Sequence, residues 1–125
     1  MLASNSLGFA FGGFAQYSWG GGGPYVSEAT ENFLFRLVKP NTGPVVYRST
    51  GHNTHFQYRD PGFWPTWGDG YDLCFGDYGV LGHGFHTYCL QGQTYVGEPN
   101  DVCGAGVHAD WGATEMEVWY RVVSS

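Results

Sequence analysis

The sequence TEMEVWYRV, residues 114–122, carries the clearest alternation of the chain and decides its fold class. An apolar residue at every second position predicts a β-strand with one face on a core. The other positions are polar, apart from one large aromatic residue, Trp119. The apolar set, which suits the core face, is Met116, Val118, Tyr120 and Val122.

Two further segments show the same period of two. In residues 32–38, Phe33, Phe35 and Leu37 share one face, and Leu34, Arg36 and Val38 share the other. In residues 7–14, large residues alternate with glycine and alanine. We expect the small side of that strand, Gly8, Ala10 and Gly12, to lie close to another backbone. Both segments are predicted strands.

Shorter β-rich segments lie at residues 45–49, 55–59, 71–75 and 85–89. Tight turns between residues 32 and 59 predict an antiparallel meander of three strands. Residues 76–84 are read as a loop, and residues 91–112 show no clear period.

The composition supports a β-protein of one domain, residues 1–125. The chain has 125 residues, of which 21 are glycine and 18% are aromatic, and no segment predicts a helix of three turns. Many glycines and aromatics favour short strands joined by tight turns. The predicted fold is all-β: an antiparallel β-sandwich with long glycine- and aromatic-rich loops, and short helices at most.

The charge pattern excludes two classes of partner. The net charge is −6, and the five Lys and Arg residues are scattered, so no basic stripe is present to bind phosphates. Nucleic-acid binding is therefore not expected, and an anionic membrane surface would repel the chain. No apolar run reaches ~18 residues, so we expect no direct membrane insertion.

The three cysteines, Cys74, Cys89 and Cys103, show no close pairing pattern. Reduced thiols in an intracellular protein are the favoured interpretation. One disulfide with one free thiol is the alternative.

Two sets of residues suggest metal binding. The His-x-x-His-x-x-Cys spacing of His83, His86 and Cys89 contains zinc-ligand types, but on an extended strand these residues fall on alternating faces. Asp69, Asp72 and Asp77 lie among glycines, but their spacing does not fit a calcium loop. We expect no metal and no cofactor.

Catalysis is also not indicated. No Gly-x-Ser-x-Gly or His-Glu-x-x-His motif is present, and no local signature pairs a cysteine with a histidine. Glu115 and Glu117 project from one face of the last strand. A solvated edge or a structural role explains them better than an acid–base pair does. The chain is predicted not to be an enzyme, with no catalytic residues.

An aromatic loop at residues 60–70 is the candidate interaction loop, through Phe63, Trp64 and Trp67. Such clusters stack sugar rings on some β-sandwiches, but they also fill the core beneath a long loop. A carbohydrate-binding β-sandwich is therefore one alternative function.

Several motifs, in order, resemble those of TLDc domains. Phe11-Gly12-Gly13-Phe14, followed by Ser18-Trp19, is similar to the family's opening strand. Residues 31–37, 65–73 and 81–88 resemble its middle elements, and Glu117-Val118-Trp119 resembles its closing strand. The signature residues, structural in the family, are Phe11, Gly12, Gly13, Phe14, Trp19, Phe33, Phe35, Gly68, Gly70, Asp72, Glu117 and Trp119.

This resemblance implies a non-catalytic protein-interaction module without a metal, with Glu117 as a structural carboxylate of the fold. Family members are linked to resistance against oxidative damage, and several bind the vacuolar-type proton-pumping ATPase. The implied partner is that ATPase or another large complex, and the implied location is intracellular and cytoplasmic. A structural accessory subunit of a large assembly is the alternative.

The chain departs from the family at its amino-terminal end. A complete TLDc domain has a helix and a strand before the Phe-Gly-Gly-Phe strand, but only ten residues precede Phe11 here. The domain is therefore expected to be truncated relative to the family and to expose a strand edge there.

Overall fold

The computed structural model describes residues 1–5, 8–17, 19, 25–38, 44–59, 62–69, 71–77, 80–81, 87, 89–97, 102–103 and 113–119. These ranges contain no helix, which confirms the predicted all-β class. Their strands are β1 (Leu2–Asn5), β2 (Ala10–Phe14), β3 (Tyr25–Val26), β4 (Phe33–Val38), β5 (Val45–Tyr47), β6 (Gln57–Tyr58), β7 (Thr66–Trp67), β8 (Leu73–Cys74), β9 (Gly76–Asp77), β10 (Val80–Leu81) and β11 (Ala113–Glu117).

The strands form two main antiparallel sheets. The first has five strands in the order β11–β1–β2–β4–β5, and the second has four in the order β3–β6–β7–β8. Strands β9 and β10 form a separate two-stranded ribbon. Buried side chains of both main sheets, such as Leu34 and Leu73, belong to one hydrophobic cluster. The arrangement is therefore sandwich-like, with the core between the two sheets.

Strand β4 shows how alternation assigns the two faces of the five-stranded sheet. Leu34 and Arg36 are buried, whereas Phe33 and Phe35 are half-buried and Leu37 is exposed. The predicted division of this strand into two faces is confirmed. The side with the charged residue faces the core, because Leu34 lies next to buried Tyr47 on β5.

The two sheets meet where Trp67 packs on Gly13. A Cβ atom added to Gly13 would lie 2.5 Å from the Cε2 atom of Trp67. The Trp67 indole nitrogen donates a hydrogen bond to the carbonyl oxygen of Phe14, at 3.0 Å. Trp67 itself is fully buried. A residue without a side chain at position 13 therefore lets a large ring lie directly on the first sheet.

The neighbouring glycine, Gly12, approaches the backbone of β1. A Cβ atom there would overlap the carbonyl group of Met1. The expected close approach on the small side of this strand is confirmed at this position.

Strand β1 was not predicted, and it changes the edges of the sheet. It pairs with β2 on one side and with β11 on the other, so β2 is an interior strand. The expected exposed edge beside Phe11 is therefore wrong. The outer strands of this sheet are β5 and β11.

The predicted meander ends after its second strand. Strands β4 and β5 pair as expected, but β6 joins the second sheet between β3 and β7. Strand β3 was not predicted. Part of the predicted loop 76–84 is the β9–β10 ribbon, and much of the predicted strand 85–89 lies outside the described residues.

The closing strand is shorter than predicted. Strand β11 ends at Glu117, and Val118 is 67% exposed, so its predicted place on the core face is wrong. Met116 is half-buried against the core, as expected. Tyr120 and Val122 lie outside the described residues.

Two of the three cysteines are paired. Cys89 and Cys103 form a disulfide, and Cys74 is a buried free thiol. The favoured prediction of three reduced thiols is wrong, and the alternative of one disulfide with one free thiol is confirmed. Cys103 also anchors the first strand, because its carbonyl oxygen accepts a hydrogen bond from the Asn5 side chain, at 2.8 Å.

Asp72 fastens a distant turn to the second sheet. Its buried carboxylate accepts hydrogen bonds from the backbone amides of Gly92, Thr94 and Tyr95, at distances between 3.0 and 3.2 Å. Burial raises the pKa of Asp72 to about 7, although these hydrogen bonds act in the opposite direction. A Cβ atom on Gly68 would overlap the Asp72 carboxylate. Gly68 is therefore needed for space as well as for its backbone angle.

Replacing Gly68 by alanine is expected to cost more stability than the same change at Gly51. Both glycines have left-handed φ angles, +89° and +81°, but no atom lies within 4 Å of a Cβ placed on Gly51. Gly51→Ala should cost about 1–2 kcal/mol from the backbone alone. Gly68→Ala adds displacement of Asp72 and should cost about 1–3 kcal/mol more. Urea unfolding of both variants measures the difference, and equal losses would contradict the packing argument.

The titration of Asp72 makes the free energy of unfolding depend on pH. The sign of this dependence is opposite to the one that a salt-bridged carboxylate gives. Its pKa is higher in the folded state than the ordinary value of 3.8. Folding therefore binds a proton, so this group's contribution to stability is full below pH ~4 and is lost as the pH rises to ~7. The slope approaches about 1.4 kcal/mol per pH unit.

Asp72→Asn removes this titration, so its unfolding free energy should lack that slope between pH 4 and 7. The variant is also expected to be less stable at every pH, since an amide has one acceptor oxygen for three donors. Denaturant unfolding of both proteins across this range makes the test. Parallel stability curves for the two proteins would show that Asp72 titrates in its ordinary range.

Candidate functional site

The five-stranded sheet has an outer face that points away from the core. The side chains on it come from all five strands and from the segments that follow β5 and β11. We call the following residues the outer face: Leu2, Gly12, Phe14, Phe33, Phe35, Leu37, Val46, Arg48, Glu117 and Trp119.

The register of the strands brings these residues together. Paired positions across the sheet run Glu117, Leu2, Gly12, Phe35 and Val46, one from each strand in order from β11 to β5. Directly opposed residues of a sheet project on the same side. The outer face is therefore a continuous apolar row with one carboxylate at its β11 end.

Aromatic rings cover the middle of the outer face. The rings of Phe14 and Phe33 stack at 5.2 Å between centroids, and Phe35 lies 6.2 Å from Phe33. At the β5 side, the guanidinium carbon of Arg48 lies 4.8 Å from the centre of the Phe33 ring. This distance is typical of a cation–π contact, which keeps the charge exposed beside the apolar surface.

Trp119 forms the opposite rim. Its side chain is 76% exposed, and its indole nitrogen donates a hydrogen bond to Oε2 of Glu117, at 2.7 Å. The Glu117 carboxylate is exposed and holds this ring at the surface. Glu117, proposed as a structural carboxylate, thus orients a surface tryptophan and does not bond core amides in the described structure.

A shallow groove crosses the outer face, with a volume of about 470 Å³. Its lining is mostly apolar, and four of the lining side chains are at least 44% exposed: Phe14 (44%), Leu37 (44%), Val46 (49%) and Trp119 (76%). Large apolar side chains gathered on one exposed face of a small domain mark an interaction surface more often than single ones do.

The fold places the three residues of the predicted interaction loop in different environments. Trp67 is fully buried between the sheets, so its predicted place in a binding loop is wrong. Phe63 is half-buried against Tyr58 and Tyr71, with ring centroids 5.0 and 5.1 Å away. Trp64 is 41% exposed. This leaves Trp64 as the well-exposed member of the predicted set.

The signature residues fall into two groups. Phe11, Gly13 and Trp19 belong to the core side, where the Trp19 ring meets that of Trp67 edge-on at 4.8 Å. Gly68 and Asp72 form the fastening described above. The remaining described signature residues, Gly12, Phe14, Phe33, Phe35, Glu117 and Trp119, lie on the outer face. Gly70 lies outside the described residues.

Sequence reasoning did not single out the outer face as a surface. Both sides of β4 carry apolar residues, and the charged Arg36 lies on the buried side, so charge does not mark the exposed side of this strand. Leu37 and Val46 are the sequence feature that indicates this surface, because both lie on the same side of the sheet as Phe33 and Phe35.

The cysteines offer no activated nucleophile in the described structure. Burial raises the pKa of Cys74 to about 11, so this thiol stays protonated at neutral pH. Cys89 is in the disulfide, which also removes it as a thiolate ligand from the histidine set. His83 and His86 lie outside the described residues.

Within the described ranges, no group of three or more metal-ligating side chains is found. Asp72 bonds backbone amides, as above. Asp69 lies beside His55, with 3.2 Å between the Asp69 Oδ2 and the His55 Nδ1 atoms. The described residues also include no helix with the length and apolarity that a membrane crossing requires.

Comparison with protein-family models, with curated proteins and with solved structures finds no match to this chain. The resemblance to TLDc domains therefore stays a prediction, and the site is argued from its own geometry.

Thiol counting tests the assignment of the cysteines. The native protein should react with at most one equivalent of maleimide, slowly, because Cys74 is buried and protonated. Unfolding without reductant should expose one thiol, and unfolding with reductant should expose all three cysteines of the sequence. Intact-mass spectrometry reads the number of labels. Fast labelling of the native protein would contradict the burial of Cys74, and three labels without reductant would contradict the disulfide.

Proposed function

We propose that this chain is a non-catalytic protein-interaction module and that the outer face is its binding surface. One observation carries the proposal: Phe14, Leu37, Val46 and Trp119 are each at least 44% exposed on a single face. Covering them with a partner removes apolar area from water, at about 25 cal/mol per Å². Aromatic residues and arginine, both present here, are also the residue types that dominate binding energy at interfaces.

The chemistry of the described residues supports binding over catalysis. The free thiol is buried and protonated, and the exposed Glu117 carboxylate is engaged by Trp119. The described residues that line the groove on the outer face are almost entirely apolar, and no two titratable side chains are among them. An apolar groove of this kind provides contact area without an acid, base or nucleophile.

The biological role is proposed from the resemblance alone. A TLDc-like module implies a part in oxidative-stress resistance or in regulation of the vacuolar-type ATPase. A structural accessory subunit of another large assembly is the alternative, and it uses the same surface. Both readings need an apolar face that a protein partner covers.

The cytoplasmic location stays a prediction. The Cys89–Cys103 disulfide argues against it, because the cytosol keeps most protein thiols reduced. A module that works in the cytoplasm is expected to be isolated from cells with these two cysteines reduced.

A matched pair of valines tests the binding surface. Val46 lies on the outer face and is 49% exposed. Val96 is 43% exposed and lies outside the groove lining, in the loop whose backbone hydrogen-bonds Arg48 at the end of β5. Val46→Glu should reduce recovery of the native partner at least tenfold, because a carboxylate would be buried in an apolar contact. Val96→Glu should leave recovery unchanged.

The measurement is purification of each tagged variant from its own cells, with the recovered proteins quantified by mass spectrometry against the parent chain. ATPase subunits that depend on Val46 would support the TLDc-like role. One unrelated complex at fixed stoichiometry would support the accessory subunit. Recovery that is insensitive to Val46→Glu would overturn the outer face as the binding surface.

A further inference from the structure

We propose that the Cys89–Cys103 disulfide is a redox switch for strand β1. The oxidised pair holds β1 and β11 on the five-stranded sheet, and reduction of the pair lets both strands open. The inference goes beyond the proposed function, because it concerns the state of the sheet and holds whatever the outer face binds. It follows from the contacts that each half of the disulfide makes.

The Cys89 half is fixed to the second sheet. The next residue, Leu90, donates its backbone N–H to the carbonyl oxygen of Tyr71, at 3.2 Å. The turn that begins at Gly92 is fastened by the carboxyl group of Asp72, the residue before β8. Cys89 itself is fully buried in the hydrophobic cluster. This half of the disulfide is therefore a fixed point of the structure.

The Cys103 half holds a strand of the first sheet. Its carbonyl oxygen accepts a hydrogen bond from the side-chain amide of Asn5, the last residue of β1, at 2.8 Å. Asn5 is buried, and its Oδ1 atom accepts the backbone N–H of Phe9, just before β2. A buried amide that loses its acceptor destabilises the folded state. The disulfide thus links a turn on the second sheet to the end of β1 on the first.

Strand β1 buries little apolar area of its own. Its two buried side chains are those of Ala3 and Asn5, a methyl group and an amide. The free energy gained by burial rises with the apolar area that is removed from water. A strand of this composition therefore depends on its hydrogen bonds and on the anchor at its end.

The outermost strand depends on β1 in turn. Strand β11 lies at the edge of the sheet and pairs with β1, which pairs with β2. When β1 leaves β2, β11 loses its place beside the sheet. The rim of the outer face that Glu117 and Trp119 form then opens with it.

The cross-link contributes most of the anchoring of Cys103. The two cysteines are separated by 14 positions, and closing a loop of this length shifts an opening equilibrium by on the order of a hundredfold. After reduction, the buried Val102 side chain and the bond from its N–H to Oε1 of Gln91, at 2.5 Å, still hold the segment. The segment is therefore expected to open far more often in the reduced chain.

Burial of the disulfide makes the two redox states persistent. Both cysteines are fully buried, so a reductant reaches the sulfur atoms when the segment opens. A dithiol then attacks one sulfur, and its second thiol resolves the mixed disulfide. Two electrons and two protons pass to the cysteines, and the dithiol becomes a disulfide. The open state is expected where thiols are kept reduced, and the closed state in oxidising surroundings.

Hydrogen–deuterium exchange of the purified chain, read by mass spectrometry, tests the switch. Loss of a cross-link speeds the unfolding of all strands alike, so the readout is the ratio of the exchange rate in β1 and β11 to that in β4. Dithiothreitol should raise this ratio at least tenfold, and oxidised glutathione should restore it. Equal acceleration of all three strands would mean that the disulfide only stabilises the fold, and would overturn the switch.

Two cysteine variants separate the disulfide from the free thiol. Cys103→Ser should show the raised ratio with and without dithiothreitol. Cys74→Ser removes the free thiol and leaves the disulfide, so it should respond to dithiothreitol as the parent chain does. A Cys103→Ser chain that keeps the ratio of the oxidised parent contradicts the inference, and so does a Cys74→Ser chain that no longer responds.

Asn5→Ala tests the connection between the disulfide and β1. Without the side-chain amide, the ratio should be raised in the oxidised chain already, and dithiothreitol should change it little further. A parent-like ratio in the oxidised variant would overturn the connection. These outcomes leave the proposed function untouched, because the Val46→Glu recovery experiment decides the binding surface by itself.

Discussion

The contact of Trp67 with Gly13 is the constraint on which the rest of the structure depends. The ring fills the space between the sheets and hydrogen-bonds the backbone of Phe14, so the second sheet is held at one place on the first. Trp67, Phe11 and Leu34 close this side of the sheet. The alternate side chains Phe14, Phe33 and Phe35 of β2 and β4 lie on the opposite side. The apolar outer face is therefore the opposite side of the same strands that pack the core.

A sheet with two apolar faces is unusual for a small isolated domain, since antiparallel sheets normally present one polar side to water. Here the exposed side carries aromatic rings, with charge at its rims: Glu115 and Glu117 on β11, and Arg48 after β5. Such a distribution is typical of a surface that a partner covers, because the apolar centre would otherwise stay in contact with water. The proposed binding surface therefore arises from the register of the five strands.

Local patterns in the sequence were sufficient for the all-β class, for β4 and its two faces, and for the close approach at Gly12. The pairing and packing of segments that are distant in the sequence could not be predicted from these local patterns. Strand β1 has no marked alternation, and its pairing with β11 joins residues more than 100 positions apart. Trp67 and Trp64 look alike in sequence, and only the position of Gly13 distinguishes the buried ring from the exposed one. The outer face was hidden because both sides of β4 are apolar and the charged Arg36 lies on the buried one.

The backbone amides that bind Asp72 are arranged as in an anion-binding turn. Consecutive backbone amides that converge on a single anion form a nest, the arrangement by which many proteins capture phosphate or sulfate. The turn from Gly92 to Tyr95 presents three converging amides of this kind, and the group that they bind is the Asp72 carboxyl of the same chain, with its pKa of about 7. The turn is therefore closed to solutes for as long as Asp72 stays in place. A chain with a small residue at position 72 would hold an empty receptor, into which formate or acetate could restore the missing carboxylate.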